Sequence, residues 1–247
     1  MYIYVYSDLH IEHQQEYDIN TLIDTTNIKP KSILILGGDV CTLYYETKLN
    51  DFLELVCKYF VQVIYVPGNG EYYKPNSYRT ISFSKLNQQI DNLSNKFENL
   101  HILNTSSIII NDYLISGCVL WSHITFELPN FFKISGFTKE LYNRKNKNDI
   151  NFIKREIEYA KNNNLKHIIV THYPPSKDCF KMFKTNDRYM KMYYNNLDHL
   201  FVNNITWIYG HTHYNIDKQV KNTRLVSNQY GKHKNKDPNF SNNFYII

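Results

Sequence analysis

Side chains that can bind metal ions recur along this chain, each time directly after a short apolar segment. Aspartate, asparagine and histidine supply the oxygen and nitrogen ligands that divalent metals take in proteins. The clusters are Asp8-Leu9-His10, Gly37-Gly38-Asp39, Gly68-Asn69-Gly70-Glu71, Thr171-His172 and Gly210-His211-Thr212-His213. One such cluster would carry little information. Five of them behind five apolar segments predict that one edge of a sheet gathers them around a metal centre.

The apolar segments themselves have the composition of buried strands. They are rich in β-branched and aromatic residues and are bounded by Gly, Pro or Asn. They span residues 2–6, 33–36, 61–66, 167–170 and 205–209. Their continuous apolar character indicates strands covered on both faces. Helical periodicity predicts helices at 51–60, 78–97 and 151–162. This alternation of strands and helices predicts an α/β fold with right-handed crossovers and a largely parallel sheet.

Length and composition limit the class of protein. A chain of 247 residues without an internal repeat or linker predicts a single domain over residues 1–247. The net charge of +5 suits an anionic substrate but gives no strong signal for nucleic-acid binding. Four scattered cysteines, no signal peptide and no apolar run near the roughly 20 residues of a membrane span predict a cytoplasmic protein with reduced thiols.

Spacing within the clusters lets several ligands point the same way. Asp8 and His10 alternate with Leu9, so both project to one side of an extended segment, and His211 and His213 share this spacing. A two-metal site for phosphoester chemistry needs two cations roughly 3.5–4 Å apart and a carboxylate that bridges them. The sequence supplies the ligand types for such a site.

In this order the clusters resemble the motifs of the calcineurin-like metallophosphoesterases, which read D-x-H, G-D, G-N-H-E, H and G-H-x-H. The resemblance extends from residue 1 to about residue 240 and is closest to a bacterial-type branch of small single-domain members. It implies a four-layer α/β/β/α sandwich of two mixed sheets, with the metal site at the carboxyl ends of the strands.

The resemblance also implies a role for each ligand and a reaction. It assigns Asp8, His10 and His213 to the first metal, Asn69, His172 and His211 to the second, and Asp39 to the bridge. Two divalent ions are implied, with manganese favoured and iron, zinc, nickel or magnesium as alternatives. A hydroxide between the metals would attack the phosphorus of a phosphodiester or phosphomonoester in line, and a nucleotide is one candidate substrate. The alternative is a pseudoenzyme that binds phosphate or a nucleotide without cleaving it.

The third cluster departs from the family pattern at Gly70, where members carry a histidine beside the leaving group. We therefore place catalysis at Gly70, Asn69 and His172 and expect impaired turnover, because general acid help is typically worth about 10²–10⁴ in rate. Three explanations remain open, namely an engineered change from histidine, a natural member that recruits another acid, and a pseudoenzyme. The candidate acids are Tyr173, His13 and His123.

Substrate contacts are expected from three residues. His13 lies three residues past His10, and loops that follow strands commonly face the site. Tyr173 follows His172 and can donate a hydrogen bond to phosphate. Arg144 belongs to the polar segment 128–151, which we interpret as a solvated loop or, alternatively, as a lid over the substrate.

Other side chains near the clusters have two interpretations. Glu12 and Glu71 either orient ligand imidazoles or are ordinary exposed carboxylates. Tyrosine pairs either pack loops onto the core, which is the more common role, or stack a nucleobase beside the metals. These pairs are Tyr44-Tyr45, Tyr72-Tyr73 and Tyr193-Tyr194.

Overall fold

Two mixed β-sheets form the centre of the computed structural model, which describes residues 1–179, 189–232 and 235–246. The strands are β1 (Ile3–Tyr6), β2 (Ile33–Leu36), β3 (Gln62–Tyr65), β4 (Leu100–Ile102), β5 (Ser106–Ile110), β6 (Tyr113–Cys118), β7 (Lys166–Thr171), β8 (Ile205–Tyr209), β9 (Asp217–Val220), β10 (Thr223–Val226), β11 (Gly231–Lys232), β12 (Asn235–Lys236) and β13 (Tyr245–Ile246). The helices are α1 (Ile19–Leu22), α2 (Glu46–Tyr59), α3 (Phe83–Leu93) and α4 (Lys139–Asn162).

Each sheet has a parallel centre, with an antiparallel strand at one edge of the first sheet and at both edges of the second. The first sheet has the order β13-β1-β2-β3-β4 and is parallel except for β13 at its edge. The second has the order β5-β6-β7-β8-β10-β9, and its edge strands β5 and β9 run antiparallel to their neighbours. The five predicted strands are all present, but they are divided between the two sheets rather than collected in one.

The sheets pack face to face through an aliphatic layer. Ile3 and Val5 of β1 lie in the same buried cluster as Ile168 and Val170 of β7, because alternate residues of a strand point to one face. On the outer faces, α2 and α3 contact β3 and β4, and α4 contacts β6 and β7. The layers are therefore helix, sheet, sheet and helix, and the predicted α/β/β/α sandwich of two mixed sheets is confirmed.

Helix α4 corrects the prediction of an irregular segment at 128–151, because the helix begins at Lys139 and not at 151. Thr138 caps it, and its side chain accepts a hydrogen bond from the Leu141 N–H at 3.2 Å. The buried face of the added turns includes Asn146 and Asp149, which are polar and therefore conceal the helical period of apolar residues. The bounds of the other helices also differ, since α2 begins five residues earlier than predicted and α3 is shorter at both ends.

The cysteines and the helices bear on two further predictions. Cys41, Cys118 and Cys179 are buried, Cys57 is partly buried, and all four carry free thiols. Within the described residues, the helices are too short or too polar to cross a lipid bilayer.

Candidate functional site

The five polar clusters converge where the carboxyl ends of β1, β2 and β3 meet those of β7 and β8. One contact joins the two sheets at this point, and another joins the loops that follow β7 and β8 of the second sheet. The His211 N–H lies 3.0 Å from both carboxylate oxygens of Asp8, and the Gly210 N–H donates to the His172 carbonyl at 3.0 Å. Residues more than 200 positions apart in the sequence therefore form one site.

One group of potential ligands consists of Asp8, His10 and His213. Their ligand atoms all lie within 4.8 Å of one another. The Asp8 Oδ1 and His213 Nε2 atoms are 3.3 Å apart, and Asp8 is completely buried while His213 is partly exposed. The group is thus enclosed on one side and open on the other.

A second group consists of Asp39, His172 and His211, again with ligand atoms within 4.8 Å of one another. The Gly37 carbonyl is 3.0 Å from His172 Nδ1, which assigns the ring proton to that nitrogen. In the neutral ring, the Nε2 lone pair then faces Asp39 Oδ1 at 3.2 Å and Asn69 Oδ1 at 3.1 Å. Lone pairs that face one another in this way need a cation or a proton between them.

Asp39 lies between the two groups. Its Oδ1 atom is 3.2 Å from His172 Nε2, and its Oδ2 atom is 3.7 Å from His10 Nε2. One oxygen is therefore directed to each group, as a bridging carboxylate requires.

His10 provides a further test of whether these residues suit a cation. Glu12 Oε1 lies 3.2 Å from its Nδ1 atom, whereas its Nε2 atom is buried and has no hydrogen-bond partner among the described residues. A buried polar atom without a partner is rare. Because this nitrogen faces carboxylates, a divalent cation fits the donor set.

Strained backbone accompanies the clusters. Positive φ angles occur at Asp8 (54°), His10 (45°), Asp39 (53°), His211 (73°) and His213 (50°). Such conformations cost of order 1–3 kcal/mol each outside glycine and persist where the surroundings enforce them. Here the Asp8 and His10 N–H groups donate to the carbonyls of Gly38 (2.9 Å) and Asp39 (3.0 Å), which hold the first two clusters together.

Burial opposes every charge at this site, so each charged group depends on a partner. Burial lowers the pKa of His172, but Asp39 outweighs this effect and raises it to about 10. Burial also lowers the pKa of His10, whereas the Glu12 hydrogen bond and the Asp39 charge raise it to about 9. For His211, burial and the His172 charge act together and lower the pKa to about 3. Without a cation the site therefore holds protons that a bound cation would displace.

Glu71 orients backbone groups rather than an imidazole. Its buried carboxylate accepts hydrogen bonds from the N–H groups of Asp39 (3.0 Å), Val40 (2.8 Å) and Gly68 (2.7 Å), and from the Tyr65 hydroxyl at 2.6 Å. Burial raises the pKa of Glu71 to about 7. The hydrogen bonds of Glu71 join the second and third clusters. Glu12 matches the first interpretation, because it contacts the imidazole of a potential ligand, His10. Glu71 matches neither interpretation, because it is buried and contacts backbone groups.

Gly70 contacts Asp39 through its backbone, since its N–H lies 2.6 Å from Asp39 Oδ1. A Cβ atom at position 70 would lie 2.8 Å from both Oδ1 and Cγ of Asp39, closer than such atoms approach. A side chain at this position therefore requires the Asp39 carboxylate to move.

The predicted substrate contacts differ in position. The Tyr173 ring is buried and stacks on His211 with centroids 4.0 Å apart. His13 lies beside the first group with a side chain that is 59% exposed, and its Nε2 atom is 3.5 Å from Glu12 Oε1. Arg144 and His123 are exposed, and no contact joins them to the site within the part of the chain that the structure describes. The role of Arg144 stays a prediction.

The tyrosine pairs divide between packing and the site. The hydroxyls of Tyr44 and Tyr72 contact the Ile81 backbone and Asn87, which is a packing role. Tyr73 lies beside Asn69, and the Tyr193 ring centroid is 5.6 Å from that of His211. Doubled tyrosines in the sequence were the signal for these two.

Gln229 is a contributor that sequence reasoning missed. Its buried Oε1 atom accepts a hydrogen bond from the His213 N–H at 2.6 Å, and its Nε2 atom donates to Thr212 Oγ1 and to the Tyr214 carbonyl, both at 3.0 Å. It holds the last cluster from a strand end 16 residues further along. No local pattern marks this role.

Comparisons with known proteins are consistent with this geometry. The sequence model of the calcineurin-like phosphoesterases matches residues 1–215. An uncharacterized protein of Acanthamoeba polyphaga mimivirus is 27% identical over 97% of this chain and 94% of its own length. The structure of a phosphopantetheinyl hydrolase from Mycobacterium tuberculosis matches with a TM-score of 0.70 at 16% identity, over 94% of this chain and 90% of that one. A Staphylococcus aureus protein described as a 5′-nucleotidase matches with a TM-score of 0.55 at 13% identity, over 92% of this chain and 48% of that one. These two similarities show a shared fold.

Proposed function

Because the chain belongs to the calcineurin-like phosphoesterase family, we propose that its converging side chains bind two divalent cations and hydrolyse a phosphoester. The observation that carries this proposal is the position of Asp39, which directs one oxygen to His172 and the other to His10. A shared carboxylate is what a two-cation site needs between its ions.

The ligand assignment follows the two groups. The first cation would be bound by Asp8, His10 and His213, the second by Asn69, His172 and His211, and Asp39 would contact both. Manganese is the cation we favour, although this mixed nitrogen and oxygen set also accepts iron, zinc, nickel or magnesium.

In this reaction the chain supplies position and charge. When bound, the cations would lower the pKa of water enough to supply hydroxide near neutral pH and would polarise the phosphoryl oxygens. Glu12 and Glu71 fix His10 and the Asp39 backbone, so the ligands need little rearrangement as charge develops. Gly70 offers no side-chain donor, so esters with poor leaving groups depend on a donor elsewhere.

The substrate class is a phosphoester, and we favour diesters slightly over monoesters. The folds shared with a phosphopantetheinyl hydrolase and with a protein described as a 5′-nucleotidase support this class at the level of architecture. A nucleotide is one candidate, since the rings of Tyr73 and Tyr193 lie beside the second group of ligands.

The second candidate function is metal-dependent binding of phosphate or a nucleotide without cleavage. The observation in its favour is Gly70, where the family pattern has a histidine. The two functions differ in turnover and not in affinity for metal.

Hydrolysis of bis(4-nitrophenyl) phosphate and 4-nitrophenyl phosphate by the metal-stripped protein, with and without added Mn²⁺, tests the proposal. We expect Mn²⁺-dependent release of 4-nitrophenol that His172→Gln abolishes and His199→Gln retains, because His199 is exposed and lies outside the site. Uptake of Mn²⁺ without hydrolysis would favour the binding protein. A protein that takes up no divalent cation would exclude both functions.

A further inference from the structure

A third set of side chains that can bind a metal ion lies beside the two groups described above. This outer group consists of His10, Glu12 and His13, whose ligand atoms all lie within 4.8 Å of one another. His10 also belongs to the first group, but it faces the two groups through different ring nitrogens. Its Nδ1 atom lies 3.2 Å from Glu12 Oε1, whereas its Nε2 atom lies 3.7 Å from Asp39 Oδ2. The outer group can therefore use a nitrogen of His10 that the bridging carboxylate does not face.

A single turn of 3₁₀ helix, Ile11–His13, positions the outer group. The His13 N–H donates to the His10 carbonyl at 3.0 Å, and three residues per turn bring these two side chains to the same side of the helix. Their rings stack with centroids 5.8 Å apart and planes 24° apart. Ile11 is buried, and its N–H donates to the Val40 carbonyl at 3.0 Å, which ties the turn to the second cluster. The backbone thus defines where these side chains lie.

The distances within the outer group suit a shared cation better than a set of hydrogen bonds. The His13 Nε2 atom is 3.5 Å from Glu12 Oε1, which is longer than the usual N–H···O distance of about 2.7–3.2 Å. Two ligands bound tetrahedrally to zinc, each at about 2.1 Å from the metal, lie about 3.4 Å from one another. The contacts of Glu12 Oε1 with His10 and His13, at 3.2 and 3.5 Å, lie on either side of that value.

Glu12 also carries negative charge that its surroundings leave uncompensated. Its side chain is only 8% exposed, and its Oε2 atom is buried without a hydrogen-bond partner among the described residues. Burying a carboxylate oxygen without a partner costs free energy, and a nearby cation would offset that cost. The His13 side chain is 59% exposed, so a cation from solvent can reach the group and keep water ligands there.

We propose that the outer group binds a third divalent cation, of the zinc class, through His10 Nδ1, the Glu12 carboxylate and His13 Nε2. Two imidazoles, one carboxylate and water form a ligand set that zinc uses in proteins. The cation would replace the proton on His10 Nδ1, which passes to solvent. This inference goes beyond the proposed function, because the two cations of the other groups are sufficient for the hydrolysis.

The number of zinc ions bound per chain tests the inference. The metal-stripped protein is dialysed to equilibrium against micromolar Zn²⁺, and bound zinc is measured by inductively coupled plasma mass spectrometry. We expect three zinc ions per chain for the parent protein and two for His13→Gln, because glutamine has no imidazole nitrogen to offer the outer cation. The exposure of His13 makes this substitution compatible with folding, which circular dichroism checks.

A second exposed histidine provides the matched control. His199→Gln also removes one exposed imidazole, but His199 lies in the 3₁₀ turn Asp198–Leu200, away from the candidate site. We expect this variant to bind three zinc ions, as the parent protein does. If His199→Gln lowered the zinc content as much as His13→Gln, the third ion would be adventitious surface binding only, and the inference would be wrong.

The zinc counts also separate this inference from the proposed function. Equal counts in the parent protein and His13→Gln would exclude the outer site, whatever their value. Two ions in each protein would leave the proposed pair of cations standing, whereas fewer than two in the parent would contradict that pair as well. A loss of more than one ion in His13→Gln would make His13 a part of the other two groups, and a separate third site would again be excluded.

Discussion

At the scale of single residues, Gly70 and Asp39 are in direct contact, and the contact leaves no room for a side chain. The sequence alone suggests that a histidine at position 70 would restore a missing acid. The geometry predicts a different result, because a Cβ atom there would lie 2.8 Å from Asp39 Oδ1 and Cγ. Because the packing around Asp39 is this close, a side chain at position 70 would displace a proposed ligand and so alter the candidate metal site.

We therefore expect Gly70→Ala and Gly70→His to lower the affinity for Mn²⁺ by about tenfold or more, the scale on which disturbed ligand surroundings act. Isothermal titration calorimetry of the metal-stripped proteins measures this. A Gly70→His variant with parental Mn²⁺ affinity and raised turnover would contradict the steric argument and support the missing-acid account.

Glu12 offers a second test at this scale. Its Oε1 atom is 3.2 Å from His10 Nδ1, and its Oε2 atom is buried without a partner among the described residues. We expect Glu12→Gln to weaken Mn²⁺ binding about 10- to 100-fold, because the carboxylate fixes the ring and makes it a stronger ligand. Glu16→Gln, at an exposed position of the same loop, is the control. Equal affinities in the two variants would argue against this role.

At the scale of elements, the loop after β8 depends on a residue near the end of β10. Gln229 accepts the His213 N–H at 2.6 Å and donates to the Tyr214 carbonyl. We expect Gln229→Met to leave this N–H unpaired, to reduce the free energy of unfolding by about 1–3 kcal/mol, and to weaken Mn²⁺ binding. Urea denaturation and calorimetry measure the two effects. Gln219→Met on the exposed strand β9 should alter neither quantity.

Ser116 of β6 and His167 of β7 contact each other on the face of the second sheet that α4 covers, and the contribution of His167 to stability depends on pH. His167 is buried with Nε2 2.9 Å from the Ser116 hydroxyl, which also lies 3.5 Å from Glu156, and burial lowers the pKa of His167 to about 4. The pKa of His167 in the unfolded chain is about 6.5. Above that pH the ring is neutral in both states and folding carries no penalty, whereas stability is lost as the pH falls from 6.5 towards 4, because only the unfolded chain takes up the proton.

The free energy of unfolding is expected to fall by about 3 kcal/mol, because each unit of pKa difference between the folded and unfolded states contributes about 1.4 kcal/mol. Denaturant unfolding at pH 7.5, 6, 5 and 4 should show a steeper decline for the parent protein than for His167→Gln. Parallel profiles for the two proteins would mean that His167 titrates normally.

At the scale of the whole molecule, the two groups of proposed ligands come from both sheets. Asp8, His10, Asp39 and Asn69 follow strands of the first sheet, whereas His172, His211 and His213 follow strands of the second. A cation bound only by the folded protein stabilises it by about 2.7 kcal/mol at a hundredfold excess over its Kd.

We therefore expect Mn²⁺ to raise Tm and EDTA to lower it again. Acidification should weaken this effect, because cations compete with the protons of His10 and His172, whose pKa values are about 9 and 10. Differential scanning calorimetry at pH 8 and pH 6 measures both. A Tm shift of the same size in Asp39→Asn would place the responsible cation elsewhere.

Local sequence was sufficient for some parts of this fold and insufficient for others. Strands β2 and β8 have the predicted bounds, because continuous apolar runs of this length have few other stable arrangements. The first half of α4 was not predicted, since its buried face includes Asn146 and Asp149, whose partners lie outside the helix. Asn146 contacts Asn195, and the Asp149 carboxylate accepts the Leu120 N–H at 2.9 Å.

The sequence by itself determined the chemical inventory, namely which ligand types follow which strands, because residue type and strand formation are local properties. Tertiary structure decided how these strands divide between two sheets, which oxygen of Asp39 faces which histidine, and that Glu71 and Gln229 hold the loops. Those contacts join residues far apart in the chain, and a short-range pattern contains no information about which distant groups will meet. The pairing of Asp8 with the His211 N–H, across 203 positions, is the clearest case.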